Sequence, residues 1–85
     1  MRKQIIRCST SVAANYRAVI RARSTRERFA KMCIVVEEAD ETCFWLEMLF
    51  EAKYLPQEKF ESLFTEANEI LKVMSSYKNK LKKDD

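Results

Sequence analysis

Val35-Val36-Glu37-Glu38-Ala39-Asp40-Glu41-Thr42-Cys43-Phe44-Trp45-Leu46-Glu47-Met48-Leu49-Phe50-Glu51-Ala52-Lys53-Tyr54-Leu55 is the stretch around which this 85-residue chain is organised. Its apolar residues recur at three- and four-residue steps, so it reads as the middle and end of a long helix. One stripe is Phe29, Met32, Cys33, Val36, Ala39, Cys43, Leu46 and Phe50; an adjacent one is Val35, Thr42, Trp45, Leu49 and Ala52. Together they cover far more than the ~100° face of a surface helix, so this helix needs neighbours on more than one side.

Two further helices flank it. From about 2 to 22, Ile5, Ser9, Val12, Ala13, Tyr16, Val19 and Ile20 form a stripe, with Lys3, Arg7, Thr10, Ala14, Arg17 and Arg21 on the opposite side. Ser24 and Glu27 have the spacing of a capping box, which starts the second helix at Thr25 and carries it to about 53. Pro56 suits the first position of a third helix, from about 56 to 82, because its missing N–H costs nothing there. That helix has a near-heptad seam of Phe60, Leu63, Ala67, Ile70, Met74, Tyr77 and Leu81. The expectation is an all-α, up-down antiparallel bundle of three helices in one domain.

Composition agrees. The chain has no glycine and one proline, which disfavours turn-rich β folds. It is 47% hydrophobic and 34% charged, in the range of a globular helical protein. No apolar run reaches the ~20 residues of a membrane span. The N-terminus lacks the apolar h-region of a secretory signal. It is basic and acid-poor, as a transit peptide is, but its apolar stripe suits a bundle helix. Cys8, Cys33 and Cys43 are scattered and odd in number, which fits reduced thiols in a cytoplasmic setting.

Histidine is absent, which removes the commonest general base and metal ligand. The acidic run Glu37-Glu38-Ala39-Asp40-Glu41 therefore reads as a solvated or arginine-paired face. With no nucleophile motif or pocket-forming loop near it, no enzyme, cofactor, metal or small-molecule substrate is expected.

Charge is unevenly spread. Residues 1–31 hold nine Lys/Arg and one acid, Glu27; residues 32–71 hold two lysines and ten acids; residues 72–85 hold five lysines and two aspartates. A cationic helix face is most often solvated or salt-bridged, and here acids are within reach on the next helix. The row Lys3, Arg7, Arg17, Arg21, Arg23, Arg26, Arg28 and Lys31 also has what phosphate contacts require, with no helix-turn-helix, zinc or RNP pattern to give sequence specificity. Asn15, beside the first stripe, is either a solvent-edge group or a buried register-setter.

Three stretches, in order, resemble a known family. They are Ser11-Val12-Ala13-Ala14-Asn15-Tyr16-Arg17, Glu37 to Leu49 with its acidic run followed by Phe44-Trp45-Leu46, and Tyr54-Leu55 before the Pro56 helix start. The pattern is similar to the bacterial four-helix-bundle proteins encoded in intervening sequences of 23S rRNA genes. The resemblance implies a cytoplasmic helical bundle, a homo-oligomer with the pentamer as expected form, no catalytic residues, and a basic surface that meets RNA or DNA. It also implies a further helix before the Ile5 region, which is expected to be missing here. That gap predicts uncovered apolar surface, and hence an oligomer interface, at Val12, Tyr16, Trp45 and Phe50. The alternative is a protein-interaction scaffold with no nucleic-acid binding.

Overall fold

A computed structural model describes residues 2–84 and contains three helices: α1 (Arg2–Ile20), α2 (Thr25–Glu51) and α3 (Gln57–Asp84). They form an up-down antiparallel bundle 43 Å long, close to the ~40 Å expected of the 27 residues of α2. Helices α1 and α3 each pack on α2, and among the described residues no Cα of α1 lies within 8 Å of a Cα of α3. Among the described residues, no helix is long and apolar enough to cross a membrane.

The local signals explain the helix ends. Ser24 has extended backbone and its hydroxyl accepts from the Glu27 amide at 3.1 Å, which caps α2 at Thr25. The return bond of the box lands one residue early, from the Arg23 amide to the Glu27 carboxylate at 3.2 Å. The far end of α2 closes without glycine. Tyr54 N donates to the Leu49 carbonyl and Lys53 N to that of Phe50, the two bonds of a Schellman motif. Lys53 takes the left-handed position at φ 65°, where a Cβ costs roughly 1–2 kcal/mol. Pro56 sits just before α3 rather than in its first turn, and its carbonyl accepts the helix's opening bond from the Phe60 amide. The Ser9-Thr10-Ser11 triplet lies inside α1, where the Ser9 hydroxyl donates back to the Ile5 carbonyl at 2.8 Å.

Helix α2 buries residues from both expected stripes: Met32, Ala39, Cys43 and Leu46 from one, Val35 from the other. The tightest cluster is Val19, Met32, Val35 and Leu81, with Val12, Tyr16, Phe29 and Met74 against it. One member or more comes from each helix, so the core is shared although α1 and α3 stay apart. Asn15 settles as a half-buried local donor, to the Ser11 carbonyl and hydroxyl, with no bond across helices.

The seam of α3 is a correction. Phe60, Ala67, Met74 and Leu81 turn inward as expected, but Leu63, Ile70 and Tyr77 are exposed, and Phe64 and Leu71 take their place. Both sets fit a heptad with the same shared residues. The aromatic stack decides between them: Phe60 lies 4.3 Å from Phe50 and 5.0 Å from Phe64, ring centre to ring centre. That stack rolls α3 so that the other row faces the open side of the bundle.

Candidate nucleic-acid interface

The cationic row of α1 is on the surface. Lys3, Arg7, Thr10, Ala14, Arg17 and Arg21 are all exposed, because the opposite face of the helix carries the buried Cys8 and Val19. The α1–α2 turn adds Arg23 and Arg26, also exposed, while Arg28 and Lys31 are half-buried. One Arg28 nitrogen lies 3.4 Å from the Ala22 carbonyl and holds the turn.

The eight cations do not act as one row. Arg7 is already engaged: its guanidinium donates to Glu41 at 2.6 Å and to Glu38 at 3.4 Å, and also faces the Cys8 sulfur at 3.3 Å. The Arg7 hydrogen bond, helped by the Trp45 indole N–H at 3.3 Å, holds the Glu41 carboxyl below its ordinary value. Cys8 is fully buried, and burial first, then the Glu41 carboxylate, pushes its thiol up to about 11. Cys8, Glu38 and Glu41 bring ligand atoms within 4.8 Å of one another, the set among the described residues that comes close enough to share an ion. Arg7 reaches all three, so its guanidinium supplies the positive charge that the two carboxylates require. This cluster is a latch between α1 and α2. Lys3 lies beyond it, near the helix start, and Arg17, Arg21, Arg23 and Arg26 lie at the turn.

The turn end gains cations that the sequence reading did not include. Leu81 packs with Val19 and Met32, which brings the last turns of α3 to the same end as the α1–α2 turn. Lys78, Lys80 and Lys82 arrive with it, the last two exposed. The signal was present in the sequence: Leu81 ends the α3 seam, and lysines flank it on both sides. The cationic end therefore comprises Arg17, Arg21, Arg23, Arg26, Lys80 and Lys82, with Glu27 as the one acid of residues 1–31 beside them.

The four residues expected at an oligomer interface are half-buried, Val12 and Tyr16 one turn apart on α1 against the same core cluster and Trp45 and Phe50 further along α2. Val12 walls a groove, Tyr16 packs on the core, Trp45 meets Phe44 edge-on and hydrogen-bonds Glu41, and Phe50 stacks on Phe60. The most exposed large apolar residues are others, among them Ile6, Ile20, Phe44, Tyr54 and Val73.

Residues 1–76 match the family model described as 23S rRNA-intervening sequence protein. The chain belongs to this family. As an intervening-sequence protein it is similar to a solved structure of a protein of unknown function from the S23 ribosomal protein family of Bacteroides thetaiotaomicron. The two share 39% sequence identity over 88% of this chain and 69% of that one, with a TM-score of 0.85. No curated protein matches significantly. In this intervening-sequence protein, Lys78, Lys80 and Lys82 lie beyond the stretch that the family model matches.

Proposed function

We propose that this chain is a non-enzymatic, self-associating cytoplasmic protein that binds structured nucleic acid, ribosomal RNA first, through its cationic end. The observation that carries the reading is the convergence at one end of the bundle. Two basic segments far apart in sequence, the α1–α2 turn and the tail of α3, meet there over a rigid apolar core. Phosphate contacts need several cations held in fixed relation, and a buried core below them supplies that. The family's description names an intervening sequence of 23S rRNA, which makes ribosomal RNA the first ligand to try. No base-reading element accompanies the cations, so binding is driven by shape and charge.

The test is titration of labelled 23S rRNA fragments at several salt concentrations. Salt-dependent binding that weakens on Arg17→Glu with Arg21→Glu supports the reading. Binding indifferent to salt and to that double reversal contradicts it. Self-association, with a five-membered ring as the form expected from the family resemblance, is checked by light scattering on the eluting protein. A stable folded monomer at micromolar concentration counts against it.

One observation favours a second reading, a protein-interaction scaffold. Arg7 is neutralised by Glu38 and Glu41 of its own chain, so part of the cationic face serves the bundle itself. Co-purification of a protein with no nucleic acid supports this alternative.

A further inference from the structure

The end of the bundle away from the cationic surface carries a hollow of different chemistry. Its walls are Phe50, Phe60 and Phe64, its rim is Glu47 and Glu51, and its volume is about 370 Å³. Phe60 is the middle ring of a stack, its plane 13° from that of Phe50 and 24° from that of Phe64. The outward faces of Phe50 and Phe64 are therefore free of the stack, and all three side chains are half-buried. Glu47 and Glu51 stand one turn apart on the same side of α2. Both are exposed, and among the described residues neither has an ion pair; the ion pairs are those of Arg7 with Glu38 and Glu41. A second hollow of about 560 Å³ adjoins the first. Phe50 and Glu51 are common to both, and Lys53, Tyr54, Leu55 and Pro56 complete its walls. Tyr54 is 74% exposed, the highest value for a large apolar residue among those described. Neither hollow shares a residue with the groove between α1 and α3.

We infer that the aromatic hollow binds the guanidinium of an arginine side chain on a partner polypeptide, with an apolar neighbour of that arginine in the second hollow. Three features select the guanidinium. Aromatic faces carry a negative potential that attracts a cation. A flat cation extends a stack of rings, which a tetrahedral ammonium does not. Two carboxylates one turn apart offer acceptors to its fork of N–H donors. The rim repels an anion, and a neutral apolar group would strip water from the carboxylates with nothing in return. The second hollow makes the ligand a polypeptide rather than a free cation. Exposed ion pairs and exposed cation–π contacts are each weak, so specific binding needs the adjoining surface as well. Lys53 on that surface disfavours a run of cations, so an apolar residue such as leucine flanks the arginine.

The inference stands apart from the RNA reading and is tested without RNA. Three short labelled peptides differ at one position, which holds arginine, lysine or citrulline ahead of a leucine. Fluorescence anisotropy follows their binding to the full chain. The arginine peptide binds, the lysine peptide binds about tenfold more weakly, and the citrulline peptide, flat but neutral, is no better than the lysine one. Salt weakens the arginine peptide and leaves the citrulline peptide unchanged. Glu47→Gln with Glu51→Gln, both at exposed positions, keeps the helical circular dichroism of the chain and brings the arginine peptide down to the level of the citrulline one. Leucine to glycine in the arginine peptide weakens binding several-fold. Absence of binding by the arginine peptide, equal binding of all three, or an arginine preference that survives the double variant overturns the inference. It is also overturned if free arginine amide competes as well as the peptide does, because a small cation is then the ligand. Self-association of the chain that the double variant abolishes overturns it too, because a second copy is then the occupant.

Discussion

At the α1–α2 turn, Val19, Met32 and Val35 pack with Leu81 to exclude water, and the surface above them is cationic. At the opposite end, Phe50, Phe60 and Phe64 stack ring on ring yet remain half-exposed, and the hollow they line is edged by Glu47 and Glu51. The contrast assigns different work to the two ends. The turn end supplies stability and holds its charges in place, whereas the aromatic end mainly sets the roll of α3. A binding surface gains most from the rigid end, since ordering its side chains costs less there.

The largest effect should come from the buried core of the turn end. Met32→Ala leaves a cavity in the shared core and should cost about 2–5 kcal/mol, against a total stability of roughly 4–13 kcal/mol for a chain of this length. Phe60→Ala at the other end should cost roughly 1–2 kcal/mol, since its ring is half-exposed and loses mainly stacking. Urea unfolding followed by circular dichroism ranks the two. A larger loss at Phe60 would invert the assignment.

A smaller effect lies at the close of α2. Lys53→Gly relieves the left-handed strain and should stabilise the chain by about 1 kcal/mol, seen as a higher urea midpoint. Destabilisation would mean that the lysine side chain has a role that outweighs its backbone.

Titration sharpens the latch between α1 and α2. Folding lowers the Glu41 carboxyl, so its contribution is complete above the ordinary value of 4.5 and is lost as pH falls through the lower folded value. Glu41→Gln should flatten that acid limb. Folding raises the Cys8 thiol from 9.0 to about 11, so its contribution is complete below pH 9 and is lost as pH rises from there to about 11. In the native protein, half-exposed Cys33 should react with a thiol reagent before Cys8 or Cys43, and only denaturant should equalise the three. Early reaction of Cys8 would show that the latch opens in solution.

Much of the fold was legible in the sequence, because it is written in short-range patterns. The two stripes of α2 and the Ser24–Glu27 spacing each fix a feature within a few residues of themselves. The phase of α3 was not legible: two heptad rows share Phe60, Ala67, Met74 and Leu81, and the choice depends on Phe50, which lies across the turn. The left-handed Lys53 was hidden for a related reason, since without glycine nothing marks the residue that will take positive φ. For the candidate site, exposure of the α1 row followed from periodicity. The capture of Arg7 and the arrival of Lys80 and Lys82 depend on contacts more than thirty residues apart in sequence, which spacing does not encode.

The proposed cationic surface for RNA joins the tail of α3 to the α1–α2 turn. It is tested most directly by the salt dependence of rRNA-fragment binding for the chain and for Lys80→Glu with Lys82→Glu, between about 50 and 200 mM salt. The variant should bind more weakly, with a log–log slope shallower by roughly 1.5–2, as two phosphate contacts are lost. An unchanged affinity and slope, in a variant with the same unfolding midpoint, would contradict it.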